Sequence, residues 1–362
     1  MAKMQDVNKL PSLDGWRALS IALVLFEHEI YSDGFPKQLI PIVAYFGAGR
    51  LGVQFFFVIS GFLITWLLIR EQQKTNAVNL KSFYVRRILR IFPVYYIYLA
   101  VLAAMPLYHQ SLEAWTANLT FTTNFWGSPY STDHFWSLAV EEQFYLLWPV
   151  TLAACLPNYR RALIVLAAPL IIAPTVRLLA YKWWFPPDLS AIFQSHSFFP
   201  CFDSLAYGCI AAILFGCYRP RVESFYAKYG VLARWCGVFF LLLPQVFSMF
   251  SFAHVPDQLN ASLRDSMQAF GFALILLQSI LLPGKGLYRT LNWRWVQHLG
   301  ILSYSIYVWQ QMFSGNGQNV FGRGAWWVSF PIWIAVTFVV AHVSYYLFER
   351  PLLSLRQRFR LA

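Results

Sequence analysis

Ten stretches of this chain are long enough and apolar enough to cross a bilayer, and their succession restricts the fold more than any other feature. The approximate spans are residues 16–33, 48–69, 84–105, 134–156, 162–181, 197–217, 231–252, 264–283, 299–319 and 326–348. With 58% hydrophobic and only 12% charged residues among 362, the chain is too apolar for an ordinary soluble domain. The pattern predicts an all-α, polytopic membrane protein of about ten transmembrane helices. It forms one domain over residues 1–362, with a core of about 11–353 and a short basic tail, 354–362.

The net charge of +12 would suggest nucleic acid as a partner for a soluble chain. Here its distribution is topological. With a cytoplasmic N-terminus, most of the 28 lysines and arginines fall on the inner side, and only Lys37, Arg50, Arg177, Lys182, Arg264 and Arg323 fall on the outer side. That bias is the positive-inside rule, and it places both termini in the cytoplasm. No nucleic-acid partner is expected. Lys3 and Lys9 before an apolar run resemble a signal peptide, but Glu27, His28 and Glu29 follow Phe26 where small residues would mark cleavage, so the segment is kept. Cys155, Cys201, Cys209, Cys217 and Cys236 form no CxxC and have no histidines at zinc-ligand spacing, so no metal or disulfide framework is implied.

Polar residues inside the apolar segments are expensive and mark candidate sites. The first set is Arg17 and His28, which bracket an apolar run from Ala18 to Phe26. Eleven helical steps bring them to within about 20° of one face, roughly 16 Å apart along the axis. The second is Arg86, Arg87 and Arg90, at i, i+3 and i+4 spacing on the cytoplasmic start of the third span. Three guanidiniums there suit phosphates held bidentately, or equally an anchor for anionic lipid headgroups. The third begins at His134. Ser137, Glu141 and Tyr145 share one helix face, and Glu142 points about 100° away. Glu141 or Glu142 can orient His28 by charge, or form a structural pair with Arg50 or Arg177.

Other chemistries have no signature. G-x-S-x-G, the P-loop pattern and H-E-x-x-H are all missing, and His28 with Asp33 matches H-x-x-x-x-D only with the two residues about 140° apart on a helix. Histidines 109, 196, 254, 298 and 342 read as isolated polar residues. Trp115, Trp126, Trp183, Trp184, Trp326 and Trp327 crowd the outer side, as an interfacial belt or as platforms for sugar rings.

Several separated motifs together resemble acyltransferase family 3, the integral-membrane O-acyltransferases of bacterial surface and secreted carbohydrates. They are Leu13-Asp14-Gly15-Trp16-Arg17 followed at ten residues' distance by His28, Phe55 to Leu63 with Ser60 and Gly61, and Arg87-x-x-Arg90. Trp136-Ser137-Leu138 with Glu141 and Tyr145, Ser303-Tyr304-Ser305-Ile306-Tyr307 and Phe348-Glu349-Arg350-Pro351 complete the set, in the family's order. The resemblance implies an acyl-CoA donor, commonly acetyl-CoA, and transfer to a sugar hydroxyl of a surface polysaccharide, lipopolysaccharide or secreted glycan at the bacterial inner membrane. It implies that His28 is catalytic and paired with Arg17, and that Arg87 and Arg90, with Arg86 beside them, hold the donor. Asp14, Ser60, Ser137 and Tyr145 are supporting residues. It also implies a standalone form without a fused SGNH domain. Where the family commonly has a histidine after Ser-Tyr-Ser-x-Tyr, this chain reads Val308-Trp309-Gln310-Gln311, so no catalytic histidine is assigned there. The expected mechanism rests CoA phosphates on the arginines and threads the acyl group toward His28, which acts as base or takes the acyl group itself. The competing class is a proton-coupled transporter or a flippase for lipid-linked sugars, against which the lack of inverted repeats counts.

Overall fold

The computed structural model describes residues 10–46, 48–181, 197–249, 254–315, 317–322 and 324–355. Lys3, Lys9, Lys182, Trp183, Trp184, His196, Arg323 and the tail arginines 356, 358 and 360 lie outside the described residues. Among the described residues every regular element is helical.

The long helices are α1 (Leu13–His28), α2 (Ala48–Thr75), α3 (Leu80–Ala104), α4 (Phe135–Cys155) and α5 (Tyr159–Tyr181). They continue with α6 (Phe198–Cys217), α7 (Arg219–Met249), α8 (His254–Leu281), α9 (Arg294–Phe313) and α10 (Ile332–Ser344). Of the described segments, α2, α3, α5, α6, α7 and the stretch beginning with α10 are each long and apolar enough by themselves to cross a membrane. The multi-pass character expected from the sequence is therefore present. The four other long helices miss that standard for a physical reason. α1 is short, at 16 residues, while α4, α8 and α9 carry Glu141, Glu142, Asp265, Gln268, Gln310 and Gln311 within otherwise apolar sequence.

Close backbone approach organises the bundle. A Cβ on Gly61 of α2 would meet the Leu205 carbonyl oxygen at 2.1 Å, and one on Gly208 of α6 would meet the Val58 carbonyl at 2.1 Å. Only glycine lets these two helices touch in this way. The entry to α1 is pinned from the side: Ser12 Oγ donates to the Ser279 carbonyl at 2.9 Å and Trp16 Nε1 to Ser279 Oγ at 2.8 Å. Trp16 also stands edge-on to Phe272, which stacks on Phe55 at 3.9 Å. α1 thus packs against α2 on one side and α9 on the other, with Leu19 and Phe26 exposed on its remaining face.

The stretch between α3 and α4 folds into three short helices, Leu112–Leu119, Thr123–Trp126 and Tyr130–Asp133. Tyr95 donates to the Asn118 carbonyl at 2.7 Å and Tyr98 to the Ser131 carbonyl, which seats the loop over the end of α3. This brings Tyr130 and Asp133 beside His28.

Candidate active site

Two cavities lie one beyond the other along α1. The deeper holds about 80 Å³ and is lined by Arg17 of α1, Ser60 of α2, Arg87 and Arg90 of α3, Glu141 and Tyr145 of α4, and Tyr304 and Tyr307 of α9. The Arg87 guanidinium sits over the Tyr145 ring, 4.6 Å from its centroid, a cation–π contact that fixes its direction. Glu141 accepts hydrogen bonds from Ser60 Oγ at 2.6 Å and from the Tyr145 hydroxyl at 3.1 Å. Asp14 lies 3.5 Å from Arg17 Nη1. Three guanidiniums facing one carboxylate in the lining leave an excess of positive charge, which suits a multiply charged anion. Arg86 takes no part in this lining. It pairs with Glu71 at 3.1 Å, and Glu71 also accepts from Asn79 N at the turn into α3; that pairing ties the α2–α3 corner.

The outer cavity holds about 420 Å³ and is lined by His28, Glu27, Arg50, Asp133, His134 and Gln311 together with the aromatic rings of Tyr31, Tyr130, Trp136 and Tyr307. His28 Nδ1 lies 2.8 Å from the Val24 carbonyl one turn back in its own helix. An acceptor there requires the proton on Nδ1 and leaves Nε2 with its lone pair. Nε2 lies 2.9 Å from Gln311 Nε2. Gln311 Oε1 in turn accepts from the His134 backbone N–H at 3.0 Å and lies 2.6 Å from His134 Nδ1, while His134 Nε2 lies 3.1 Å from the Val308 carbonyl. The two cavities share Val53 and Tyr307 in their walls. Tyr307 is held there by its hydroxyl, which donates to the His134 carbonyl at 2.8 Å and lies 2.6 Å from Ser137 Oγ.

The expectation that Glu141 or Glu142 orients His28 is corrected by this geometry. Seven residues separate His134, which stands at the level of His28, from Glu141, and that is about 10 Å of helix rise. Glu141 therefore belongs to the arginine cavity. Glu142 lines neither cavity, and one oxygen of its carboxylate is buried without a hydrogen-bond partner. Nor do these carboxylates pair with Arg50 or Arg177. Arg177 is forked onto Asp203 at 2.7 Å, and Arg50 onto Asp265 at 2.6 Å. Ser60 and Tyr145 stand beside Glu141, and Ser137 beside Tyr307. Asp33, five residues after His28, accepts from Gln318 and does not line the outer cavity.

Sequence reasoning missed Gln311, Tyr307 and the role of His134. The available signal was the paired amide Gln310-Gln311 in the last turn of an apolar helix, both residues almost fully buried. Asp133, in the loop above the bundle, was missed as well; burial pushes its carboxyl up to about 6. Another cavity, of about 880 Å³, opens between Trp66, Arg70, Phe215, Tyr226 and Lys285 and shares no wall with these two.

The chain is similar to known proteins over most of its length. It is 27% identical to the putative peptidoglycan O-acetyltransferase YrhL of Bacillus subtilis, across 97% of this chain and 56% of that protein. It is 26% identical to the peptidoglycan O-acetyltransferase OatA of Listeria monocytogenes, across 95% and 56%, and to the O-acetyltransferase OatA of Staphylococcus aureus, across 97% and 58%. The chain therefore spans little more than half the length of these relatives. No solved structure matches it. The model of the acyltransferase domain of acyltransferase family 3 matches residues 10–349, nearly the whole chain, and with the motif residues gathered along α1 the chain belongs to that family.

Proposed function

We propose that this protein moves an acyl group, acetyl in the simplest case, from acyl-CoA on the cytoplasmic side to a hydroxyl of a glycan on the outer side of the cytoplasmic membrane. The observation that carries the reading is the disposition of Arg17, Arg87 and Arg90 in one cavity and His28 in the next, along one helix and with Val53 and Tyr307 lining both. This reading takes ten spans with both termini inside, which sets the arginines toward the cytoplasm, in keeping with the distribution of basic residues. The relatives' names point to peptidoglycan as the acceptor class, in place of the lipopolysaccharide or exopolysaccharide suggested by sequence.

In this reading Arg87 and Arg90 take the donor's phosphates, and Arg17 adds charge deeper in the cavity. The acceptor hydroxyl enters the outer cavity, where Tyr130 and Trp136 offer aromatic faces. His28 Nε2 takes the hydroxyl proton as the oxygen attacks the thioester carbonyl, and the carbon–sulfur bond breaks. The proton on His28 then passes to the departing thiolate, which restores the neutral ring. Arg86, paired with Glu71, supports the arginine cavity from outside.

The test uses membrane vesicles given labelled acetyl-CoA and peptidoglycan fragments. Label should appear on the glycan, and His28→Ala should lower it by at least about 10²-fold at unchanged membrane level. Full labelling by that variant overturns the assignment, and uptake of glycan without acetyl-CoA would support a carrier instead.

A further inference from the structure

We propose that Gln311 is the positioning residue that orients the bare Nε2 of His28 and leaves it free to take and release a proton, a part played by an amide clamp rather than by a carboxylate. The inference rests on the acyl-transfer reading for its kinetic consequence, but the geometry stands apart from it.

Which end of a glutamine amide is oxygen is normally an assignment made from its neighbours. Here one neighbour leaves no choice. The His134 backbone N–H is an obligate donor and lies 3.0 Å from the amide atom that also faces His134 Nδ1 at 2.6 Å. That atom is therefore the oxygen, so the NH₂ group must face His28. A second argument reaches the same tautomer from the other side of the ring, because Nδ1 stands 2.8 Å from the Val24 carbonyl and must carry its proton there. His28 is left with one arrangement, Nδ1–H and a bare Nε2 that accepts from Gln311 at 2.9 Å.

Gln311 is held rigidly enough to do this. Its side chain is 2% exposed, and turning the amide over would set NH₂ against the His134 N–H. Two consequences follow for the chemistry. In the resting site the lone pair that must take a proton is already oriented, and an incoming hydroxyl replaces or shares the Gln311 N–H. Once Nε2 is protonated, it confronts the amide NH₂, a donor against a donor, which favours passing the proton on to the thiolate. A carboxylate at this position would do the reverse and hold the proton on Nε2.

The experiment compares Gln311→Leu and Gln311→Glu in the full-length chain in membranes. If Gln311 only filled space and bound His134, Glu would be the milder change, since it keeps the shape and both acceptor contacts to His134. The clamp role requires the opposite order. Gln311→Leu should lower kcat by about 10-fold, and Gln311→Glu by about 10²-fold or more, each with an unchanged KM for acetyl-CoA. In ¹⁵N spectra of labelled histidine, assigned by difference from His28→Ala, Nε2 of His28 should be unprotonated in the wild type and in Gln311→Leu, and protonated in Gln311→Glu. Glu tolerated as well as Leu, or a protonated Nε2 in the wild type, overturns the proposal. A protonated Nε2 in the wild-type spectrum overturns the proposal even where a variant does not fold. Absence of acetyl transfer by the wild type would refute the proposed function and leave the spectroscopic test of Gln311 in force.

Discussion

Asp203→Asn exposes how the outer half of the bundle balances its buried charge. Asp203 is fully buried and Arg177 is 2% exposed. The Arg177 guanidinium sends Nη1 to Asp203 Oδ1 at 3.2 Å and Nη2 to Oδ2 at 2.7 Å, with further bonds to Ser266 Oγ at 2.7 Å and the Ser262 carbonyl at 2.8 Å. Asp265 stands 3.7 Å away but is already forked onto Arg50. Across the two forks two cations meet two anions, and the substitution leaves one positive charge over at Arg177, whose side chain is closed to water although that of Arg50 is one third exposed. Breaking a buried pair in this way costs about 3–5 kcal/mol. At about 2 °C per kcal/mol the thermal midpoint should fall by roughly 6–10 °C. The assay is the midpoint of the detergent-solubilised protein, followed by fluorescence-detected size exclusion. Arg177→Met combined with Asp203→Asn should recover at least half of the loss, because it removes the stranded charge. A single variant within about 1 kcal/mol of the wild type, or a double variant less stable than the single, would refute the reasoning.

Three further outcomes are expected. Arg87→Ala and Arg90→Ala should each raise the acetyl-CoA concentration needed for half-maximal labelling by about 10-fold or more; an unchanged titration would return these residues to a lipid-anchoring role. Gly61→Ala puts a Cβ 2.1 Å from the Leu205 carbonyl oxygen and should cost about 1–3 kcal/mol, whereas Gly284→Ala, with nothing within 4 Å, should be neutral by the same thermal measurement. Asp133, with its carboxyl pushed up to about 6, folds more favourably neutral than charged. Its stabilising effect is complete below about pH 4 and is lost as the pH rises through 6. Asp133→Asn should therefore stabilise the protein by about 1 kcal/mol at pH 7.5, a value discounted for partial exposure, and leave it unchanged at pH 4.

Much of the fold was open to sequence reasoning because membrane burial leaves a strong record. Long apolar runs give the helices, and the two ends of α1 could be placed on one face by counting residues. The same counting failed for Glu141 and Arg86. Periodicity says which face of its own helix a side chain occupies, but not the depth at which that helix meets its neighbours. Glu141 shares a helix with His134, yet lies about 10 Å too deep to reach His28. Arg86 follows the geometry of the α2–α3 turn, where Glu71 waits, and no spacing rule reports that turn. Gln311 escaped because a single amide has no pattern; its meaning comes from His134 and Val24, which belong to two other helices.

The wall formed by Val53 and Tyr307 has a bioenergetic consequence. A pathway open from cytoplasm to exterior would short-circuit the ion gradients on which a bacterial membrane depends, however briefly it opened. In the proposed reading, with the tyrosine hydroxyl fastened to the His134 carbonyl and paired with Ser137, the acyl group alone crosses this barrier and its carrier stays behind in the compartment that recharges it. A protein working in that way would export chemical substituents without pumping, and without a leak.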